Sequence, residues 1–316
     1  MSDTMNGNPS ELILHHYDGS PFSEKLRLIF GFKGLAWRSV KIPVILPKPD
    51  VVALTGGYRK TPIVQVGADV YCDTALIAKL IEPRAPAPTL YPASAPLAPL
   101  LAQWADSTLF WTAISYALQP AGVAHIFSGM PPEALKALAA DRTPFTAAIK
   151  RQTARDASAN LGSYLAALDA QLADGRAWLF GSEVSIADFS VAHCGWYVKR
   201  AGPLADIFNP HAHFSAWLER VLALGHGKPE RMGSDEALQV AAAATSHAAC
   251  AVAPGLGFEA GQAVTVTPTD YGQDPVAGTL VGLTNDEVVL HRSDPRAGTV
   301  HVHFPRAGFQ IKQERI

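Results

Sequence analysis

The spacing of apolar residues changes twice along this chain, and these changes limit the folds that it can adopt. Residues 11–83 alternate short apolar runs with helical patterns, in the order β-α-β-β-β-α. Helical spacing continues through residues 97–248, where strand signals are absent, and residues 255–316 are short β-branched runs. We therefore predict an α/β domain at 11–83, an all-helical domain at 97–248 and a small β-domain at 255–316.

Turn and capping residues place the elements of the first predicted domain. Pro21 to Lys33 carries its apolar residues on one helical face, which predicts a helix. Gly67-Ala68-Asp69 lies between two apolar runs and predicts a hairpin turn. A second helix is expected from Thr74 to Glu82, ended by Pro83. Residues 84–96 contain four prolines and predict a linker.

Residues 255–316, called the β-domain below, predict five short strands in a small barrel or sandwich of SH3-like type. The segment has five Lys or Arg against seven Asp or Glu, a net charge of -2, so no nucleic-acid partner is expected. His301 and His303 share a strand face that could chelate a metal, but no third ligand is evident, and we expect a solvated face and no metal. Such a domain has a marginal core, so we expect it to pack against the helical domain or a second subunit.

Composition excludes several other classes of protein. The chain has a formal net charge of -2 and no basic block to attract a polyanion. Residues 1–10 are polar and lack the apolar core of a signal peptide, and residues 236–253 are too polar for a membrane span. Three scattered cysteines exclude a disulfide framework and a cysteine zinc cage. We therefore expect a cytoplasmic protein with no membrane partner.

Three short motifs concern function. Ser20-Pro21 begins a predicted helix, where the serine either caps the helix or takes part in chemistry. Thr61-Pro62 opens a strand with a residue that cannot donate to the sheet ladder. Asp73-Thr74 lies at a helix start, where free N–H groups and the positive dipole end favour a carboxylate. Each motif alone has an ordinary structural explanation, and it is the order of the three motifs along the chain that indicates a function.

That order resembles the N-terminal half of the glutathione transferases, which are built on the thioredoxin fold. SPFSEKLRL resembles their active-site turn, KTPIV their cis-proline strand, and DTALIAKLIE the stretch that holds the γ-glutamyl end of glutathione. GSEVSIADF, residues 181–189, resembles the family's helix capping box, which we interpret as structural. The resemblance covers about residues 11–232. It implies a thioredoxin-like domain and a helical glutathione-transferase domain, with the β-domain as an addition.

The resemblance also implies roles for individual residues. Ser20 takes the place of the catalytic serine, and Tyr17 is the alternative donor. The residues that would bind glutathione, the implied co-substrate, are Lys60, Thr61, Pro62, Asp73 and Thr74. The residues that would border a pocket for the electrophile are Phe22, Trp104, Thr108 and Trp111. For the two tryptophans, packing in the core is the competing interpretation.

The expected chemistry is activation of a thiol by a hydroxyl. A free thiol has a pKa of about 8.5 and is mostly protonated at neutral pH. A hydrogen bond from Ser20 to the thiolate lowers that pKa by one to two units, assisted by the helix N-terminus. Neither Ser20 nor Ser23 has a thiol, so a mixed-disulfide reductase is not expected. We predict a homodimeric glutathione transferase that acts on a hydrophobic electrophile in detoxification. The alternative is a non-catalytic binding or interaction protein of the same fold.

Overall fold

The computed structural model describes residues 11–314, so the expectation for residues 1–10 lies outside the described part of the chain. The first domain alternates strands and helices as its pattern predicts. Its elements are β1 (Ile13–His16), α1 (Pro21–Phe32), β2 (Ala36–Lys41), α2 (Pro49–Thr55), β3 (Ile63–Val66), β4 (Asp69–Cys72) and α3 (Thr74–Arg84). The last helix continues past Pro83, where we expected it to end, because the Ala85 N–H still bonds to the carbonyl of Ile81.

Helices dominate the next 160 residues or so of the chain. They are α4 (Ala98–Trp104), α5 (Phe110–Ala117), α6 (Pro120–Ile126), α7 (Pro132–Phe145), α8 (Ala154–Leu172), α9 (Ile186–Lys199), α10 (Ala212–Leu222) and α11 (Ser234–Ala243). The segment predicted to be entirely helical also contains a strand, β5 (Lys228–Met232), which pairs in parallel with β2. This expectation was wrong because β5 is a polar edge strand, buried only at Met232, and has no apolar alternation. Among residues 11–314, no helix is long and apolar enough to cross a membrane.

The β-domain contributes the five strands that its pattern predicts. They are β6 (Ala263–Pro268), β7 (Val276–Leu283), β8 (Glu287–Asp294), β9 (Gly298–Pro305) and β10 (Phe309–Gln313). These strands continue the sheet of the first domain, giving ten strands in the order β10-β6-β7-β8-β9-β4-β3-β1-β2-β5. The junction is a parallel pairing of β9 with β4, in which Asp69 lies opposite His301 and Tyr71 opposite His303.

Two hydrophobic clusters cover the faces of this sheet. The first joins α1 and α3 to the helical domain and includes Leu26, Phe30 and Phe189. The second joins the first domain to the β-domain and includes Val70 and Phe304. The β-domain was expected to pack against the helical domain or a second subunit, and it contacts the helical domain where Tyr271 meets Trp111 and Phe145. Its apolar strand residues are covered by the first domain, because β9 extends that domain's sheet.

The capping box of the predicted resemblance is present at the start of α9. The Ser185 side chain accepts a hydrogen bond from the backbone N–H of Asp188. In return, the Ser185 N–H donates to the Asp188 carboxylate at 2.8 Å. The Trp217 indole N–H also donates to Asp188, at 2.9 Å. Burial raises the pKa of Asp188, while these hydrogen bonds oppose the rise. This box caps the buried helix α9, in agreement with its structural interpretation.

The buried His16 at the end of β1 gives a pH-dependent contribution to stability. Its Nδ1 lies 3.0 Å from the Arg27 guanidinium and its Nε2 lies 2.9 Å from the Ser39 hydroxyl. Burial, together with the charges of Lys41 and Arg27, lowers the pKa of His16 to about 3. The folded protein therefore holds this imidazole neutral, whereas the unfolded chain takes up a proton below about pH 6.5.

We expect the free energy of unfolding to fall as the pH drops from about 6.5 towards 3, with His16 contributing about 2 kcal/mol of the loss by pH 5. Urea unfolding at pH 7 and pH 5 measures this loss in the wild type and in the His16→Gln variant. The variant is less stable at both pH values but should lose about 2 kcal/mol less between them. An identical pH dependence in both proteins would contradict the neutral, depressed histidine.

Candidate functional site

A cavity of about 830 Å³ opens where the first domain, the helical domain and the β-domain meet. Its wall includes the five predicted glutathione-binding residues and one residue of α1, listed here: Lys60, Thr61, Pro62, Asp73, Thr74 and Phe22. Lys60, Thr61 and Pro62 lie in the turn before β3, and Asp73 and Thr74 lie at the N-terminus of α3. The fold brings both segments to the same cavity as Phe22 of α1, although they are distant from Phe22 in sequence. The predicted glutathione-binding residues thus share one cavity.

Ser20 caps the N-terminus of α1. It has extended backbone angles, φ -79° and ψ 121°, and its Oγ accepts the Ser23 N–H at 3.2 Å. Pro21 occupies the first turn of the helix, as the pattern predicts. Ser20 is 2% exposed and is not among the residues that line the cavity, whereas Phe22, two residues later, is. The hydroxyl therefore serves as a cap and keeps its own hydrogen free to donate.

The peptide bond between Thr61 and Pro62 is cis, as predicted for this motif. The Lys48 ammonium donates to the Thr61 hydroxyl at 3.2 Å. Burial and the positive charge of Arg142 lower the pKa of Lys48 to about 8, while Asp141 opposes that effect. Lys48, which we did not identify from the sequence, therefore lies in contact with the cis-proline turn.

Asp73 and Thr74 begin α3 with an unusual backbone geometry. Asp73 has φ 74°, which is uncommon for a residue with a side chain, and its carboxylate accepts the Ala75 N–H at 2.8 Å. Burial raises the pKa of Asp73, and the Ala75 hydrogen bond together with Lys60 and Lys25 opposes the rise. The Thr74 hydroxyl accepts a hydrogen bond from the Lys25 ammonium at 3.1 Å. The start of α3 is thus a strained and polar edge of the cavity.

A buried charge network beneath the cavity was not predicted. Lys25 of α1 is fully buried, and its ammonium lies 2.5 Å from the carboxylate of Asp106. The same carboxylate lies 3.0 Å from the His193 imidazole. Burial alone would raise the pKa of Asp106, but Lys25 and His193 lower it below its ordinary value. The network positions Thr74 through Lys25.

Asp106 reaches this network from a π-helical turn, Ala105–Leu109, between α4 and α5. Such turns insert one extra residue into a helix and often occur at functional sites. The only sequence signal was Lys25 itself, a charged residue on the otherwise apolar face of α1. The other members of the network, Asp106 and His193, are 81 and 168 positions further along the chain, so no local pattern could identify them.

The β-domain also lines the cavity, which the sequence did not predict. Asp270 lies 2.5 Å from the Lys60 ammonium, and the ring of Tyr271 lies 4.2 Å from the same nitrogen. Tyr271 packs edge-on against Trp111 and Phe145 of the helical domain. Lys60 is therefore held between an anion and an aromatic face of the β-domain.

The predicted electrophile pocket is only partly assembled. Phe22 lines the cavity and packs at 4.7 Å from the ring of Phe110 and 4.8 Å from that of His193. Trp104 packs against Tyr164, and Trp111 packs against Phe110 and Tyr271. Within residues 11–314, neither tryptophan nor Thr108 is among the residues that line the cavity. Core packing, the competing interpretation, describes both tryptophans.

Tyr17, the alternative donor, is placed outside the cavity lining. Its hydroxyl lies 3.4 Å from the Arg142 guanidinium, and the Lys48 ammonium lies 5.7 Å from its ring. The Ser20 N–H bonds to the Tyr17 carbonyl at 3.2 Å, so the two candidate donors are joined by one tight turn. The phenol points towards α7, which carries Arg142.

This combination defines a class of protein. A cis-proline strand, a capped helix start and a strained helix N-terminus meet at a cavity between an α/β domain and a helical domain. Profiles of known families agree with it: "Glutathione S-transferase, N-terminal domain" matches residues 14–89, and "Glutathione S-transferase, C-terminal domain" matches residues 146–220. A search of curated proteins returns no match.

One solved structure extends the similarity to nearly the whole chain. A GST-like protein from Pseudomonas syringae is 40% identical, with 96% of this chain and 100% of that chain covered and a TM-score of 0.80. The chain belongs to the glutathione transferase family, with a thioredoxin-like first domain, a helical second domain and an additional C-terminal β-region.

More distant structures share the fold of the first two domains. A glutathione transferase from Phanerochaete chrysosporium is 19% identical, covers 68% of this chain and 97% of its own length, and has a TM-score of 0.54. A beta-etherase from Sphingobium sp. strain SYK-6 is 18% identical, covers 67% of this chain and 95% of its own, and has a TM-score of 0.51. Both matches leave about a third of this chain uncovered.

Proposed function

We propose that the protein is a glutathione transferase-like enzyme that binds glutathione and activates its thiolate for attack on a hydrophobic electrophile. The observation that carries this proposal is the meeting of Thr61-Pro62 and Asp73-Thr74 on one cavity wall, beside the helix that Ser20 caps. The family assignment supports a glutathione-dependent transferase in general terms.

In this proposal glutathione lies along the cavity wall in an extended form. The backbone of Thr61, before the cis-proline, pairs with the cysteinyl part. Asp73 and Thr74 hold the γ-glutamyl group, whose ammonium is matched by the Asp73 carboxylate and whose carboxylate is matched by the N-terminus of α3. Lys60 attracts the glycyl carboxylate. Ser20 then donates its hydroxyl hydrogen to the cysteinyl thiolate.

Ser20 acts as a donor and not as a nucleophile. Its Oγ already accepts the Ser23 N–H, which leaves its O–H group directed by whatever acceptor enters the site. A hydrogen bond to a charged group is worth about 1.5–3 kcal/mol, which lowers a thiol pKa by about one to two units. The N-terminus of α1 adds the favourable, positive end of the helix dipole.

Several finer features belong to the same proposal. The electrophile is hydrophobic because the apolar Phe22 ring faces the cavity. Leu97 and Leu100 are 61% and 63% exposed at the start of α4, and a second copy in a homodimer would cover such side chains. We also propose a cytoplasmic location, a role in detoxification and the domain division 11–83, 97–248 and 255–316.

One observation favours the alternative, a non-catalytic binding or interaction protein. Lys60, which we expect to meet the glycyl carboxylate, is already paired with Asp270 of the β-domain. In the alternative, this contact closes the glutathione site and the cavity accepts another partner. The enzyme requires that glutathione displaces or shares the ion pair.

The two functions differ in what they do to the glutathione thiol. We expect wild-type protein to bind glutathione and to lower its thiol pKa from about 8.5 to about 6.5–7.5, because Ser20 and α1 stabilise the thiolate. Calorimetry measures binding, and ultraviolet absorbance of the thiolate against pH measures the pKa. S-methylglutathione, which has no ionisable thiol, is the control for protein absorbance. Binding without a lowered pKa, or no binding, would favour the alternative.

A further inference from the structure

A group of histidines and a carboxylate lies at the junction of the first domain and the β-domain, away from the glutathione cavity. Asp69 of β4 and His301 of β9 are direct neighbours in the parallel pairing of these strands. His247, in the segment after α11, stacks its ring on that of His301 with centroids 3.7 Å apart. Three separate parts of the chain therefore place ligand-type side chains at one point.

The Nδ1 atoms of both histidines face the same carboxylate oxygen. His247 Nδ1 lies 3.8 Å and His301 Nδ1 lies 3.9 Å from Asp69 Oδ1. Within residues 11–314, each of these nitrogens is buried and has no hydrogen-bond partner. Buried polar atoms in native proteins are almost always paired, so two unpaired nitrogens aimed at one carboxylate need an explanation.

The carboxylate is held in place by two hydrogen bonds, one of them to the oxygen that both histidines face and the other to its second oxygen. The His303 Nε2 lies 2.9 Å from Asp69 Oδ1, and the Ala248 N–H donates to Asp69 Oδ2 at 2.9 Å. The other ring nitrogen of His303 lies 2.8 Å from the Glu287 carboxylate. Metal ligands in proteins are commonly oriented by such outer hydrogen bonds.

We propose that Asp69, His247 and His301 bind a divalent transition-metal ion of the zinc class. Two imidazole nitrogens and one carboxylate oxygen are a frequent set of ligands for such ions, and they leave at least one position for water. Two ligands at about 2.0–2.2 Å from one tetrahedral ion lie about 3.3–3.6 Å apart, so the separations of 3.8 and 3.9 Å close by a few tenths of an ångström when the ion binds. The stacked rings of His247 and His301 also tilt towards each other so that both Nδ1 lone pairs meet the ion. The ion supplies the missing partner of both Nδ1 atoms.

This inference changes the expectations for the β-domain. The face of β9 that carries His301 and His303 is not solvated as expected, since His303 is 2% exposed and stacks on Tyr71. The third ligand that the sequence lacked is Asp69, which is 232 positions before His301. The bound ion would tie β4, β9 and the segment after α11 together, and the expected absence of a metal would be wrong. The inference does not depend on the glutathione site.

The test uses full-length protein without a histidine tag, stripped with a chelator and then titrated with Zn²⁺. We expect one Zn²⁺ per chain by calorimetry and by elemental analysis, and a higher Tm with zinc than with chelator. His247→Phe keeps an aromatic ring stacked on His301 but removes the nitrogen, so it should weaken zinc binding more than about 100-fold. His301→Phe, tested in parallel, should do the same.

Matched controls separate this site from adventitious binding. His213→Phe changes an exposed histidine of α10 and should bind zinc like the wild type. Cys250→Ser should also bind normally, because this exposed thiol is not in the ligand group. Co²⁺ in place of zinc should give d–d absorption bands that are lost in His247→Phe. No saturable binding to the wild type, equal binding by His247→Phe and His301→Phe, or loss only in a control variant would overturn the proposal.

Discussion

Replacing Ser20 by alanine is expected to reduce glutathione conjugation about 10–100-fold while glutathione affinity stays within a few-fold. The loss equals a hydrogen bond to a charged sulfur, about 1.5–3 kcal/mol, and each 1.36 kcal/mol is tenfold in rate. In the proposed binding mode the rest of glutathione does not contact this hydroxyl, so the dissociation constant of glutathione should change little. The measurements are kcat/KM with an activated aryl halide and calorimetric binding of S-methylglutathione.

Ser23→Ala is the matched control because it removes a hydroxyl from the same helical turn. Ser23 is fully buried, and its Oγ has no hydrogen-bond partner within residues 11–314, whereas its N–H keeps the bond to Ser20. We expect normal conjugation by this variant. Ser20→Ala should also lose about 1 kcal/mol of stability as a cap residue, so Tm is recorded for both variants. A full rate in Ser20→Ala together with a large loss in Tyr17→Phe would assign the donor to Tyr17.

Local backbone signals explain what the sequence predicted correctly. Ser20-Pro21 caps α1, Gly34 has φ 63° after it, and Gly67 has φ 60° in the hairpin between β3 and β4. Each of these signals acts over four residues or fewer, so one stretch of sequence contains both the cause and its effect. The cis bond before Pro62 belongs to the same group, but it was expected from the family resemblance and not from local physics.

Long-range contacts explain what the sequence did not predict. The charge network of Lys25, Asp106 and His193 is assembled only when α1, the π-helical turn and α9 pack together. The pairing of β4 with β9 joins residues more than 200 positions apart, and the alternation of β9 does not reveal which strand it contacts. The sequence alone therefore could not show which residues cover the two faces of β9.

Weak patterns explain why the sequence predicted neither strand β5 nor the separate bounds of α6 and α7 within the segment expected to be all-helical. The side chains of α7 are largely exposed, so it has little of the apolar periodicity by which helices are recognised. Strand β5 is a polar edge strand whose pairing with β2 depends on where α10 ends. Such elements are held by neighbours and not by their own sequence preferences.

Phe304→Ala is expected to destabilise the whole protein by about 3–5 kcal/mol, the usual cost of removing a buried phenylalanine. Phe304 lies on β9 with no exposed surface and contacts the rings of Tyr58 in the first domain and Phe309 in β10. Because Tyr58 belongs to the first domain, the cavity left by this variant spans both units. We therefore expect Tm to fall by roughly 5–15 °C in a single transition.

The number of transitions distinguishes a shared core from an independent β-domain. If the β-domain folded alone, Phe304→Ala would melt it first and leave a second transition at the wild-type temperature. Calorimetry and far-ultraviolet circular dichroism both report the transitions. Val52→Ala is the control: it also shortens an apolar side chain, but Val52 of α2 is 43% exposed, so Tm should change by less than about 1 °C. A shared core requires one transition in all three proteins, because the second hydrophobic cluster joins strands of both units across β4 and β9.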